Sequence, residues 1–231
     1  MIKTSSTFER FLLILFLLNI SPLAAYVSIS ASESETAEVF VVSHSSWERM
    51  IESDYILTQF RWLTLNDGSK VIERKARMIV QGVSPKQVAA VIRDYKLIPK
   101  WMNAVSEAQL IKSADNNLWV IFLIFKLPWP LRNKYLINEV REQKHSFLPL
   151  YSFKINSSDK YKPPFDCKIN DFGHYEGVWK VYSWQKDVTY IEFSAFSTAP
   201  PQFPRWIQDP IVNRSFAKTM ESFYKLLKNR N

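Results

Sequence analysis

The stretch from Val188 to Lys228 reads VTYIEFSAFSTAPPQFPRWIQDPIVNRSFAKTMESFYKLLK, and it joins the two kinds of element that decide the fold. Its first part, Val188–Thr198, alternates between apolar and polar residues, which is typical of a strand with one buried face. Three prolines then interrupt the pattern. Beyond them, Arg205–Lys228 has apolar residues at helical spacing on one side, and Lys218, Glu221, Lys225 and Lys228 on the other. This pattern predicts a long amphipathic helix whose apolar side includes Trp206, Val212, Phe216, Met220, Phe223 and Leu227.

Upstream of this stretch, the spacing of apolar residues is mostly that of β-strands. The turn Asn66-Asp67-Gly68-Ser69 between two β-rich runs predicts a hairpin of Ile56–Leu65 with Lys70–Gln81. Short runs separated by turn residues then predict an antiparallel meander. Its candidate strands are Ala104–Lys112, Leu118–Leu127, Lys134–Glu142, Leu150–Asn156 and Lys168–Trp184, followed by Val188–Thr198.

Two shorter helices are predicted before the meander. Trp47–Ser53 is compatible with a short helix capped by Ser45 or Ser46. Ser84-Pro85 is a helix start, with Ser at the cap and Pro at the first helical position, and Pro99 is expected to end or bend that helix. We therefore predict an α+β fold, a curved antiparallel β-sheet wrapped around the long C-terminal α-helix.

Two local stretches resemble those of the START-like and Bet v1-like (SRPBCC, helix-grip) domains. Residues 126–135, KLPWPLRNKY, are similar to the Pro-Trp-Pro turn of START domains, although Arg132, Asn133 and Lys134 stand where that family usually has acidic residues. Gly173 to Trp179, GHYEGVW, resembles the family's Gly-x-x-x-Gly-x-Trp strand. The resemblance extends over roughly Trp47 to Leu227. It implies an internal apolar cavity between sheet and helix, which holds lipids in START domains.

Alternation assigns the faces of the strands. If Lys126, Glu139, Lys180 and Glu192 face water, the opposite parity in each strand faces the helix. With the resemblance, this predicts the ligand-binding residues Trp119, Ile121, Leu123, Phe125, Asn138, Tyr175, Trp179, Val181, Ile191, Phe193, Val212, Phe216 and Met220. The alternative is that these apolar side chains form a close-packed core with no cavity.

Arg74 shares parity with the apolar residues Ile72, Ala76 and Met78, so it is a candidate inward charge. A buried arginine needs a carboxylate or an anionic ligand, because an unpaired buried charge costs several kcal/mol. We favour the alternative, in which Arg74 lies near the strand end and its head group reaches water.

Composition limits the other function classes. The chain has 231 residues and only four glycines, which are not clustered as a nucleotide-binding loop requires. Its one cysteine, Cys167, excludes an intrachain disulfide, and the three histidines lack metal-ligand spacing. His174 and Glu176 are interpreted as an exposed polar pair. We therefore predict no metal, no cofactor and no catalytic residues.

The N-terminus has the layout of a secretory signal. Lys3 and Arg10 precede the apolar run Phe11–Ile20, and Ala24-Ala25 offers a cleavage site. This predicts a signal peptide over 1–25, a flexible lead-in over 26–45 and a START-like domain over 46–231. The predicted location is outside the cytoplasm, in a bacterial periplasm. Secretion, and a membrane anchor formed by an uncleaved signal, are the alternatives.

These observations predict a binding protein for a lipid or another apolar small molecule, which moves its ligand between membranes. The alternatives are a cyclase/aromatase-type enzyme that uses the same cavity and an interaction module with a filled core. The net charge of +8, together with export, argues against a nucleic-acid partner. Aromatic and basic loops at Lys160–Phe165 and Pro201–Trp206 are candidates for transient membrane contact, and their alternative is ordinary loop packing.

Overall fold

The structure is a computed structural model that describes residues 40–114, 117–127, 129–146, 150–166 and 168–230. Eleven strands are present in these ranges, together with a 3₁₀ turn at Tyr95–Leu97. The helices are α1 (Pro85–Arg93), α2 (Ile98–Trp101) and α3 (Arg205–Lys228). The strands are β1 (Val41–His44), β2 (Glu48–Glu52), β3 (Ile56–Leu65), β4 (Lys70–Gln81), β5 (Val105–Ala114), β6 (Leu118–Phe125), β7 (Lys134–Lys144), β8 (Tyr151–Ser157), β9 (Asn170–Asp171), β10 (Tyr175–Gln185) and β11 (Val188–Ser197).

The strands form one sheet in the order β1-β3-β4-β11-β10-β8-β7-β6-β5. All pairs are antiparallel except that of β9 with the start of β7. The β3–β4 hairpin turns at Gly68, whose φ of 81° is a left-handed conformation that favours glycine. The sheet curves around α3, so the predicted α+β helix-grip architecture is confirmed.

The prediction of a helix over Trp47–Ser53 is wrong. Residues Glu48–Glu52 form β2, which pairs with β3. Ser45 Oγ accepts a hydrogen bond from the backbone N–H of Trp62 at 3.0 Å, instead of capping a helix. Pairing with a neighbouring strand outweighs the helix propensity of such a short segment.

The sheet also begins earlier than the predicted domain boundary. Strand β1 lies inside the segment 26–45, which was expected to be a flexible lead-in, and it pairs with the end of β3. The predicted signal peptide 1–25 and most of that lead-in lie outside the described residues. So do Pro128 of the Pro-Trp-Pro turn and the single cysteine, Cys167.

Helix α1 begins as predicted, but it does not extend to Pro99. Ser84 Oγ accepts from the N–H of Gln87, and the Gln87 side chain accepts from the Ser84 N–H, which together make a capping box. The helix ends at Arg93, and Pro99 instead lies in the first turn of α2. Proline is tolerated there because the first N–H groups of a helix have no intrahelical partner.

The predicted strand Lys168–Trp184 is interrupted. Residues Asn170–Asp171 form β9, and Tyr175–Gln185 form β10. Between them, Gly173 has a φ of 85°, which a strand cannot contain. Before the turn at Gly173, β9 pairs with β7; after it, β10 pairs with β8 and β11.

The main core lies between the sheet and the C-terminal half of α3. The fully buried residues of α3 are confined to Ala217–Leu227. There, the rings of Trp101 and Phe223 are 4.9 Å apart and those of Trp179 and Phe223 are 4.8 Å apart. Large rings in mutual contact leave little free space at this end.

Strand β6 is buried on both faces. Its inward residues join the main core, while Val120, Phe122 and Ile124 form a second cluster with Ile137 on the outer face. Tyr161, Phe165 and Ile169 of the segment after β8 cover this second cluster. The uninterrupted apolar run of β6 is the sequence pattern of a strand covered on both sides.

Candidate ligand-binding cavity

A cavity of about 240 Å³ lies under the N-terminal half of α3. One wall consists of inward residues of β4, β10 and β11, and the opposite wall is the helix. The ends of β6 and β7 and the loop before α3 complete it. Large apolar side chains dominate the lining: Phe125, Leu127, Leu131, Phe172, Phe193, Phe196, Ile211, Val212 and Phe216.

Small inward residues leave this space open. Along β11 and beyond it, Phe193 is followed at alternate positions by Ala195, Ser197 and Ala199, which all line the cavity. On the helix, Ser215 and Thr219 face the same space. Side chains of this size cannot bridge the gap that Trp179 and Phe223 fill at the other end. The groove between sheet and helix is therefore packed at one end and open at the other.

The structure divides the predicted ligand-binding residues into two groups. Five line the cavity: Phe125, Tyr175, Phe193, Val212 and Phe216. The other eight are not in its lining and are buried between the sheet and α3 or within the sheet: Trp119, Ile121, Leu123, Asn138, Trp179, Val181, Ile191 and Met220. Contact of any of the thirteen with a ligand stays a prediction.

Arg74 lies on the cavity wall and is partly buried, and the interpretation that its head group reaches water stays a prediction. Its Nε donates to Oδ1 of Asn213 on α3 at 2.8 Å. Burial lowers the pKa of Arg74 to about 10, an effect that Asp209 partly opposes and that Arg205 reinforces. Arg74 is the fifth residue of β4, and its bond to Asn213 places it beneath α3.

The mouth of the cavity is held by hydrogen bonds between loops. The backbone N–H of Arg132, after β6, donates to Oε1 of Gln202 at 2.9 Å. Gln202 N–H donates to Oε1 of Gln208 on α3 at 2.8 Å. Arg205 donates to the Lys70 carbonyl at 2.8 Å and lies 3.9 Å from Oδ1 of Asp209.

On the other side, Asn103 connects the loop after α2 to the helix. Its backbone N–H donates to Thr219 Oγ1, and its side-chain amide donates to Ser215 Oγ, both at 2.9 Å. The first half of α3 is thus attached by polar contacts around an apolar space, while the second half is attached by packed rings. Alternation along the strands could not reveal the polar lining residues of α3 and the loops. On α3 they are Arg205, Gln208, Asp209, Ser215 and Thr219, and in the connecting loops they are Asn103 and Gln202.

Asn138, predicted as a polar anchor, is buried outside the cavity lining. Its Oδ1 has no hydrogen-bond partner among the described residues, and the same is true of the buried Nε1 of Trp101. A buried acceptor without a partner costs about 1–3 kcal/mol. An additional donor at Asn138 would therefore be stabilising.

The titratable groups of the lining are few. Burial raises the pKa of the Tyr175 hydroxyl, and Asp209 is the single carboxylate among the described lining residues. Within the described ranges, no three His, Cys, Asp or Glu side chains are grouped as metal ligands would be. His174 Nε2 lies 2.9 Å from Glu176 Oε1, and both side chains are about one-third to two-fifths exposed, as a surface pair.

The two loops considered for membrane contact differ. Tyr161 and Phe165, from the first, fold back onto the second apolar cluster. In the second, Trp206 is 78% exposed, which corrects its assignment to the buried side of α3. Sequence reasoning missed Trp129, which is 91% exposed between the cavity-lining residues Leu127 and Leu131. Among the described residues, no helix has the length and apolar character needed to cross a bilayer.

Comparison with protein-family models gives no match, and neither does comparison with curated proteins. Solved structures do match. A STAR-related lipid transfer protein from Xanthomonas axonopodis aligns with a TM-score of 0.66 at 17% identity, covering 80% of this chain and 99% of that one. Human STARD10 aligns with a TM-score of 0.63 at 18% identity, covering 78% and 72%.

Human StAR-related lipid transfer protein 5 also aligns, with a TM-score of 0.63 at 14% identity, covering 79% of this chain and 86% of that one. At these identities the likeness concerns the fold. It agrees with the curved antiparallel sheet and the long C-terminal helix. The chain therefore has the START-like helix-grip fold.

Proposed function

We propose that this protein binds a lipid or another apolar small molecule in the cavity under the N-terminal half of α3. The observation that carries the proposal is the unfilled space enclosed by Phe125, Phe193 and Phe216. Apolar walls of this kind favour an apolar ligand, since removing apolar surface from water is favourable by about 25 cal/mol per Å². The names of the matching structures, which are lipid transfer proteins, support the same class of ligand.

The size of the cavity favours a slender ligand. At about 240 Å³ it is slightly below the range of roughly 300–1,000 Å³ that is typical of ligand pockets. A single acyl chain or a compact ring system suits such a space better than a two-chain lipid. No observation favours the alternative of a cyclase or aromatase, because the lining offers little beyond Asp209 and Tyr175 for acid–base chemistry.

Transfer of the ligand between membranes is part of the proposal. Trp129 and Trp206 project from the two segments that border the cavity mouth, and the hydrogen bond from Arg132 to Gln202 connects those segments. Tryptophan is enriched where protein meets the lipid head groups, and nearby cations favour anionic lipids. Contact through these residues would place the mouth at the bilayer surface.

We further propose that this activity takes place outside the cytoplasm, in a bacterial periplasm. The support is the order of basic residues, apolar run and small residues over 1–25. An apolar ligand that crosses an aqueous compartment needs a protein cavity to shield it.

Binding is tested by titrating the protein with Nile red, a neutral apolar dye, and displacing it with dodecanol. We expect saturable binding at one site and competitive displacement. Phe216→Arg places a charge in the cavity and is expected to weaken dodecanol binding at least tenfold. Ala90→Arg adds the same charge at an exposed position of α1 and is the matched control.

Thermal unfolding of both variants separates lost binding from lost folding. If Phe216→Arg unfolds, Val212→Trp, which fills the same space with an apolar ring, replaces it. Dodecanol binding of equal strength in the wild type and in a folded cavity variant would contradict the proposal. Failure of the wild type to bind either molecule would contradict it as well.

A further inference from the structure

Resting on the proposed function, we infer that the cavity selects amphiphiles with an anionic head group, which Arg74 binds. Four charged residues line the cavity: Arg74, Lys134, Arg205 and Asp209. Three are cations and one is a carboxylate, so the lining has an excess of two positive charges. A neutral lipid leaves this excess uncompensated, whereas a carboxylate or phosphate head group reduces it.

The protein only partly satisfies Arg74. Its Nε donates to Asn213, which is a neutral amide. Among the described residues, neither Nη nitrogen has a hydrogen-bond partner, and neither is enclosed by protein atoms. Arg74 is one of the residues that line the cavity, so we place these donors within reach of a ligand held there. A planar guanidinium with free donors is suited to bidentate binding of a carboxylate or phosphate.

The carboxylate nearby does not replace such a ligand. Asp209 lies 3.9 Å from Arg205, and it is close enough to Arg74 to act on its charge, but no hydrogen bond joins Asp209 to Arg74. Lys134 donates to the Asp171 carbonyl at 2.9 Å, which is again a neutral acceptor. Asp209 is thus the one carboxylate for three cations in the described lining of a largely apolar cavity.

The geometry also orients the ligand. Arg74 projects from β4 toward Asn213 on α3, whereas the apolar residues Phe125, Leu127 and Leu131 come from the β6 end of the wall. An anionic head at Arg74 leaves the chain to run along the phenylalanine side chains. This arrangement predicts that charge and chain are recognised together, and that an anion without a chain binds poorly.

The test is displacement of Nile red at pH 7.5 by dodecanoate, dodecanol and inorganic phosphate. We expect dodecanoate to bind at least tenfold more tightly than dodecanol, and phosphate alone not to compete. Arg74→Met should remove the preference for dodecanoate and leave dodecanol binding within twofold of the wild type. Arg214→Met removes the same charge from an exposed position of α3 and should keep the preference.

Several outcomes would overturn the inference. Equal affinity of the wild type for dodecanoate and dodecanol would refute the selectivity while leaving apolar binding intact. A preference that survives in Arg74→Met would refute the assigned residue, and displacement by phosphate alone would refute the joint recognition of head and chain. Absence of binding by either amphiphile contradicts the proposed function itself. If Arg74→Met does not fold, Arg74→Lys, which keeps the charge but loses the planar fork, should reduce the preference.

Discussion

Arg74 on β4 and Asn213 on α3 are joined by a hydrogen bond of 2.8 Å that crosses from the sheet to the N-terminal half of the helix. The bond lies beside the cavity, where few packed side chains connect the two elements. Asn213→Ala is expected to lower the free energy of unfolding by about 1–2 kcal/mol, because it removes an acceptor from a partly buried guanidinium. Chemical denaturation measures this change. Arg214→Ala, one residue along on the exposed side, should change it by less than about 0.5 kcal/mol, and equal losses would contradict the account.

Filling the cavity should abolish binding without loss of stability. Val212→Trp adds an indole to the space beneath α3, so Nile red and dodecanol should no longer bind. The melting temperature should not fall, since the added ring occupies empty volume. Ala90→Trp, on the exposed face of α1, should bind as the wild type does. A Val212→Trp protein that still binds would place the site elsewhere.

Removing only Arg93 from its ion pair with Glu142 should destabilise the protein more than removing both residues. Arg93 Nε donates to Glu142 Oε2 at 2.6 Å, a second bond joins Nη2 to Oε1, and the Glu142 side chain is 1% exposed. Arg93→Met leaves this carboxylate buried and unpaired, at an expected loss of about 3–5 kcal/mol. The double variant with Glu142→Met should recover much of that loss. A double variant as unstable as Arg93→Met would refute this explanation.

Exposed tryptophans at the cavity mouth predict vesicle binding. Trp129→Ala together with Trp206→Ala should reduce sedimentation with vesicles that contain anionic phosphatidylglycerol. Stability should stay nearly constant, because both side chains are largely in solvent. Trp184→Ala, at a partly exposed position on β10, is the control. Unchanged sedimentation of the double variant would argue against membrane contact at the mouth.

Buried tyrosines predict a loss of stability in alkali. Burial raises the pKa of Tyr182 to about 12 and raises that of Tyr175, against about 10 in the unfolded chain. Above pH 10, the unfolded chain therefore binds fewer protons than the folded protein, so stability falls as pH rises. Below that pH both states are protonated and these groups have no effect. Denaturation at pH 9, 10 and 11 measures the slope, which Tyr175→Phe should reduce; an unchanged slope would refute this assignment.

The architecture could be predicted from the periodicity of apolar residues, because the apolar faces of the strands and of α3 pack against each other. Phe193 and Trp179 alternate with charged residues in their strands, and helical spacing identified Phe223 and Leu227. The bounds of β3 and β4 agree with those predicted from the turn at Gly68. Where one face is apolar and the other is charged, burial leaves little choice of register.

Other features depend on contacts between distant segments. The strand at Glu48–Glu52 forms because it can pair with β3. No local sequence pattern predicts that pairing. The position of Arg74 under Asn213 depends on where α3 crosses β4, and the exposure of Trp129 depends on how its loop is placed relative to the rest of the described residues. One local signal does lie in the sequence: alternate small residues at Ala195, Ser197 and Ala199 mark the open end of the groove.

We propose that the space beneath α3 holds an amphiphile. The most direct measurement is native mass spectrometry of the full chain produced in its own host, followed by organic extraction of whatever is bound. We expect one bound single-chain anionic lipid per protein in the wild type and none in Val212→Trp. A wild-type protein without ligand that also stays empty after incubation with dodecanoate would contradict it, as would the same adduct on both proteins.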